Sequence, residues 1–89
     1  MSRRIEIPAD ARRELDRLPD RVWLEAKEVI AEMQEDPIRP GSVPLRGRVA
    51  WYRVRFYRNQ YRIVYQVSEK QHCVIVRRVR PRASAYAGL

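Results

Sequence analysis

Acidic residues are nearly missing from the second half of this chain. Residues 41 to 89 hold one, Glu69, against eleven lysines and arginines. A carboxylate-bound Mg²⁺ site is therefore not expected there. Cysteine is as scarce. Cys73 stands alone, so no internal disulfide forms, and a reducing cytoplasm is the expected setting. His72 is the only histidine. As neighbours on a strand, His72 and Cys73 point to opposite faces and do not converge for nucleophilic work. No Cys/His spacing fits zinc, and no Gly-rich loop suits a nucleotide, so neither metal nor cofactor is expected. No apolar run approaches transmembrane length. Met1-Ser2-Arg3-Arg4 leads into a strand-like run with no apolar signal region, so no membrane partner is expected.

What is present is compact in length and lopsided in charge. The chain has 89 residues, which suits a single domain over 1–89 with a modest core. Formal net charge is +8. Residues 1 to 40 carry eight basic and ten acidic side chains, a mixed surface. The remainder is almost purely cationic. Such asymmetry points to a polyanion, most simply a nucleic acid, or to an acidic protein partner.

The run from Tyr52 to Tyr65 reads as a β-hairpin, broken at Arg58-Asn59-Gln60. Alternation places Tyr52, Val54 and Phe56 on one face and Trp51, Arg53 and Arg55 on the other. In the second strand Tyr61, Ile63, Tyr65 and Val67 oppose Arg62, Val64 and Gln66. One face is apolar, and the other carries three arginines. Solvated strand faces and edge strands also carry charge. Here, however, the positive residues are unrelieved by acids and almost all are arginine, whose planar fork grips phosphate.

Around the hairpin the pattern is regular. Arg3 to Ile7 is a short strand, and Pro8 suits the start of a helix. Ala11, Leu15 and Leu18 recur at helical spacing up to Pro19. Asp20 is predicted to N-cap a second helix. Its stripe is Val22, Ala26, Val29 and Met33, widened by Trp23 and Ile30. Asp36 to Pro44, with three prolines, is predicted to be loop, and Gly47 to mark a turn. His72 to about Val79 is a further strand, ended by Pro81. Arg82 to Leu89 is read as a polar tail carrying Tyr86. The expected fold class is α+β, in the order β-α-α-β-β-β. A helical hairpin packs on one face of a mainly antiparallel sheet, and the other face stays open.

That open face collects Arg46, Arg48, Arg53, Arg55, Arg58, Arg62, Arg78, Arg80 and Arg82, with Trp51, Tyr57 and Tyr86 among them. Arg77 has the opposite parity and is expected at the sheet margin. Arginines clamp phosphates and aromatics stack on bases.

Four segments carry a family resemblance. They are Pro44-Leu45-Arg46-Gly47, Trp51-Tyr52-Arg53-Val54-Arg55, Gln60-Tyr61-Arg62-Ile63-Val64-Tyr65, and Val79-Arg80-Pro81-Arg82 with Tyr86. Together, over essentially the whole chain, they resemble the RelE/ParE toxin superfamily of type II toxin–antitoxin systems, the RelE-like branch above all. The resemblance implies ribosome-dependent cleavage of mRNA in the A site, without metal, by attack of a ribose 2′-OH. It places Arg55, Arg62, Arg82 and Tyr86 at catalytic positions, with Arg80 competing with Arg82 for the last arginine position. Arg46, Arg48, Arg53, Arg58, Arg78 and Arg80 would bind RNA. It also implies a cognate antitoxin, and the ribosome and mRNA as partners. Some members carry lysines where this chain has Arg53 and Arg55. An arginine stays protonated, so catalysis here is expected to rest on positioning and charge stabilisation. Two alternatives stay open: a ParE-like inhibitor of DNA gyrase, and a nucleic-acid-binding module without catalysis.

Overall fold

The computed structural model describes residues 2–89. The order is β1 (Arg4–Glu6), α1 (Ala9–Asp16), α2 (Asp20–Glu32), β2 (Val43–Pro44), β3 (Trp51–Phe56), β4 (Tyr61–Ser68) and β5 (Cys73–Pro81). The five strands form one sheet in the order β1-β5-β4-β3-β2. Only β1 and β5 run parallel; the other pairings are antiparallel. The expected α+β class and the helical hairpin on one sheet face are both present. The difference is β2, two residues inside the predicted loop. It pairs Val43 with Arg53 and Pro44 with Tyr52, and the turn that follows contains Gly47 at φ +79°. A proline fits there because β2 is the sheet edge.

The helical stripes supply the core. Ala11, Leu15, Val22, Ala26, Val29, Ile30 and Met33 are buried against Val54, Phe56, Ile63, Tyr65, Val67, Val74, Val76 and Val79. Removing Leu15 beyond its Cβ would cost about 2–5 kcal/mol, as for any fully enclosed leucine. The first helix starts at Pro8 as expected, and the second starts one residue before its predicted cap. Pro8 and Pro19 occupy the N-cap positions, and Asp20 is the first helical residue, not the cap. The proline carbonyls accept the first helical bonds, from Arg12 and Trp23, and an acid just inside the helix still meets its positive end.

Tyr65 ties the loop before β2 to this core. It is fully buried, and its hydroxyl donates to the Pro37 carbonyl at 2.7 Å and meets Ser42 Oγ at 2.6 Å. Tyr52 stacks on its ring, with centroids 5.9 Å apart.

The far face of the sheet is less open than predicted. Residues 82–88 turn back over it, and Ala85 is fully buried. Val64, which points to that face, is also fully buried, although it lies outside the main core cluster. The tail is thus a short cover and not a solvated end.

Candidate functional site

Strand register assembles the site. Arg55 on β3 pairs with Arg62 on β4, and Arg62 pairs with Arg80 on β5. Three arginines far apart in sequence therefore stand abreast on one face. One row along, Arg53 pairs with Val64, and Val64 with Arg78.

The three arginines of the first row sit in different surroundings. Arg55 is exposed. Arg62 is buried, only 8% exposed, and its Nη1 donates to the carbonyls of Asn59 at 2.9 Å and Tyr61 at 3.1 Å. Among the described residues its Nε and Nη2 find no protein acceptor. Arg80 Nε donates to Glu14 at 2.8 Å. Its Nη1 donates to the Ser84 carbonyl at 3.3 Å. Glu14 also accepts the Val79 amide at 3.0 Å. β1 stops opposite Ile75, so β5 has a free edge beyond it, and the Glu14 carboxylate caps that edge.

The hairpin turn braces the row. Tyr57, Arg58 and Asn59 all have left-handed backbone, at φ +50°, +56° and +67°. Such a run is unfavourable for residues with a Cβ. Two side chains hold it from opposite faces. Glu25 of α2 accepts the Tyr57 amide, and Arg62 grips the Asn59 carbonyl. Glu14 and Glu25 were not among the sequence candidates, because nothing local ties a helix carboxylate to a strand 32 to 65 residues away.

The remaining candidates spread around this centre. Arg82 is exposed and directly follows β5, which stays extended through Pro81. Its amide donates to the Gln60 carbonyl at 2.9 Å. Arg58 is exposed at the turn tip, off the rows. Tyr86 shares a shallow hollow with Leu45, Arg46, Arg48 and Leu89. Arg78 Nη1 donates to the carbonyls of Ala85 and Ala87 and so holds the tail on the face. Burial lowers the pKa of Arg78, and the nearby Arg80 and Arg48 lower it further against the pull of Glu14. Mutual repulsion of this kind marks a surface that favours an anion.

Arg77 departs from its predicted place. A β-bulge in the β4–β5 pairing sets Arg78 opposite Val64 but Val76 opposite Tyr65. The skipped residue, Arg77, is turned to the side of Gln66 and Trp51. Bulges re-aim side chains in this way, and strict alternation does not anticipate them.

Residues 5–86 match the family described as the ParE toxin of type II toxin–antitoxin systems, parDE. The chain belongs to this family and is a toxin of a type II toxin–antitoxin system. In structure it is RelE-like. It superposes with TM-score 0.79 on an E. coli RelE toxin mutant in the free state, at 28% identity over 90% of this chain and 83% of that one. The toxin–antitoxin complex RelBE2 from Mycobacterium tuberculosis gives 0.78 at 26% identity, over 92% of this chain and 100% of that chain. An archaeal RelE–RelB complex from Pyrococcus horikoshii shares the fold, with TM-score 0.75 at 22% identity over 96% and 100%. No curated protein matches. Among the described residues no helix is long and apolar enough to cross a membrane.

Proposed function

We propose that this toxin is a RelE-like, ribosome-dependent endoribonuclease that cuts mRNA in the A site and so inhibits translation. One observation carries the reading: Arg55, Arg62 and Arg80 stand in one cross-strand row, with Arg82 and Tyr86 on the segment that follows. Fixed cations aimed at a developing charge are the strongest aid to such a reaction.

In the proposed step the ribose 2′-oxygen bonds to the adjacent phosphorus as the bond to the 5′-oxygen breaks. The 2′-hydroxyl loses its proton and the departing 5′-oxygen gains one. The products are a 2′,3′-cyclic phosphate and a free 5′-OH. Arg62 clamps the scissile phosphate through Nε and Nη2, since Nη1 is committed to the turn. Arg82 assists it. Arg55 sits at the reacting oxygens, and Arg53 contacts the RNA backbone. Tyr86 stacks on a base or passes a proton. Guanidiniums remain protonated, so the row stabilises charge and does not abstract the proton. An E. coli RelE variant carries two arginine-to-alanine substitutions two positions apart, the spacing of Arg80 and Arg82 here. RelBE complexes among the structural relatives support a cognate antitoxin as partner.

The test is to map mRNA ends after incubation with programmed ribosomes. A-site cuts with cyclic phosphate ends are expected, reduced at least roughly 100-fold in Arg62→Ala. Arg62→Lys, which keeps a donor for the turn, controls for folding. Full cleavage by a folded Arg62→Ala protein overturns the assignment. The family match favours a second reading, a ParE-like inhibitor of DNA gyrase. Intact mRNA together with inhibited supercoiling by gyrase would establish it instead.

A further inference from the structure

The bulge on β5 has brought together a cluster that the proposed reaction does not use. Trp51 pairs with Gln66 across the sheet. The Arg48 guanidinium lies 4.7 Å from the centroid of the Trp51 ring, and that of Arg77 lies 5.4 Å from it. Arg77 is fixed by two bonds to Gln66 Oε1, from Nε at 3.2 Å and Nη2 at 2.7 Å. Among the described residues neither Arg48 nor Arg77 forms an ion pair. Trp51 lies four residue steps from Arg55, about 13 Å along β3. The cluster therefore lies beyond the nucleotide held at the arginine row.

Two unpaired cations beside one indole are ill-suited to a plain surface. Like charges at close range repel, and an ordinary surface sets acids among its bases. They suit a single-stranded nucleic acid, which offers a flat base to an aromatic or guanidinium plane and a phosphate beside it. We propose that Trp51, Arg48 and Arg77 form a second nucleotide subsite, which takes one unstacked base of the RNA strand flanking the cleaved nucleotide. Arg77, anchored by Gln66, is the fixed floor. Arg48 is exposed on a turn and is the layer that a base displaces from the indole onto the adjoining phosphate. This subsite rests on the RNA-cleaving reading of the toxin and extends it to a neighbouring nucleotide.

The test uses the whole protein with Trp23→Phe, which leaves Trp51 as the only tryptophan. It is titrated with short single-stranded oligoribonucleotides made uncleavable by 2′-O-methyl groups. Quenching of Trp51 is expected once the oligonucleotide is long enough to pass the arginine row. An abasic site walked along the strand should abolish quenching at one position and weaken binding roughly 5- to 100-fold, the range of base–aromatic stacking. Arg77→Gln should give a similar loss for the long oligonucleotide and none for the shortest. Because the abasic change is on the RNA, misfolding of a variant cannot mimic it. Quenching that no abasic site removes, or affinity unchanged in Arg77→Gln, overturns the subsite and leaves A-site cleavage standing. No binding by the parent protein also overturns it, and the ribosome assay then decides the cleavage reading separately.

Discussion

A buried guanidinium is costly unless its donors are satisfied. Arg62 meets part of that demand, through Nη1, with the carbonyls of Asn59 and Tyr61, and the same bonds fix where its unsatisfied Nε and Nη2 point. Its preorganisation is thus a by-product of closing the hairpin turn. Tyr65 is the other side chain whose chemistry is set by burial. Desolvation raises its pKa, opposed by the hydrogen bond with Ser42. A phenol whose folded pKa lies above its unfolded value of about 10 adds stability that is complete below that pH. This contribution is lost as pH rises through 10 towards the folded value. Tyr65→Phe should lose the two hydroxyl bonds, a cost of roughly 1–3 kcal/mol near neutrality. Its denaturation midpoint should then fall less between pH 9 and 11 than that of the parent. An equal decline in both proteins would show that other groups govern the alkaline limb.

Among the elements, the β3–β4 turn concentrates the unfavourable backbone. Tyr57 and Arg58 have ordinary side chains in left-handed conformation, whereas Asn59 tolerates it. Glycine removes the Cβ penalty. Arg58→Gly should therefore stabilise the fold by roughly 0.5–1 kcal/mol, read as a higher denaturant midpoint at unchanged slope. The same variant isolates any RNA contact that Arg58 makes. The strands themselves were legible in the sequence, because period-two alternation from Trp51 to Val67 states which residues share a face. Two features escaped that pattern. The two-residue β2 is too short for any periodicity to register. The bulge at Arg77 adds one residue to β5 relative to β4, and pairing, not composition, decides where it falls. The tail differs from its expected solvated state for a related reason: Ala85 and Val64 are small apolar residues that become buried only once the chain has folded back.

At the scale of the whole molecule, charge is sorted by layer. The mixed-charge helices cover one face of the sheet and the arginines occupy the other. A polyanion bound there releases counterions, so affinity for single-stranded RNA should fall linearly on logarithmic axes as salt rises. Each phosphate contact adds about 0.7 to that slope. Arg53→Ala and Arg55→Ala should each reduce the slope by roughly 0.7–1, and Tyr86→Ala should lower affinity without changing it. A slope untouched by both arginine variants would place the phosphate contacts elsewhere. The α+β layering, the helical core stripes and the face on which Arg53, Arg55 and Arg62 lie follow from periodicity, a local property of the chain. Folding alone sets Arg55, Arg62 and Arg80 abreast, brings Glu14 and Glu25 to the basic half, and lays the tail over part of the face. Those are matters of register and long-range packing, and neither is written in the spacing of neighbouring residues.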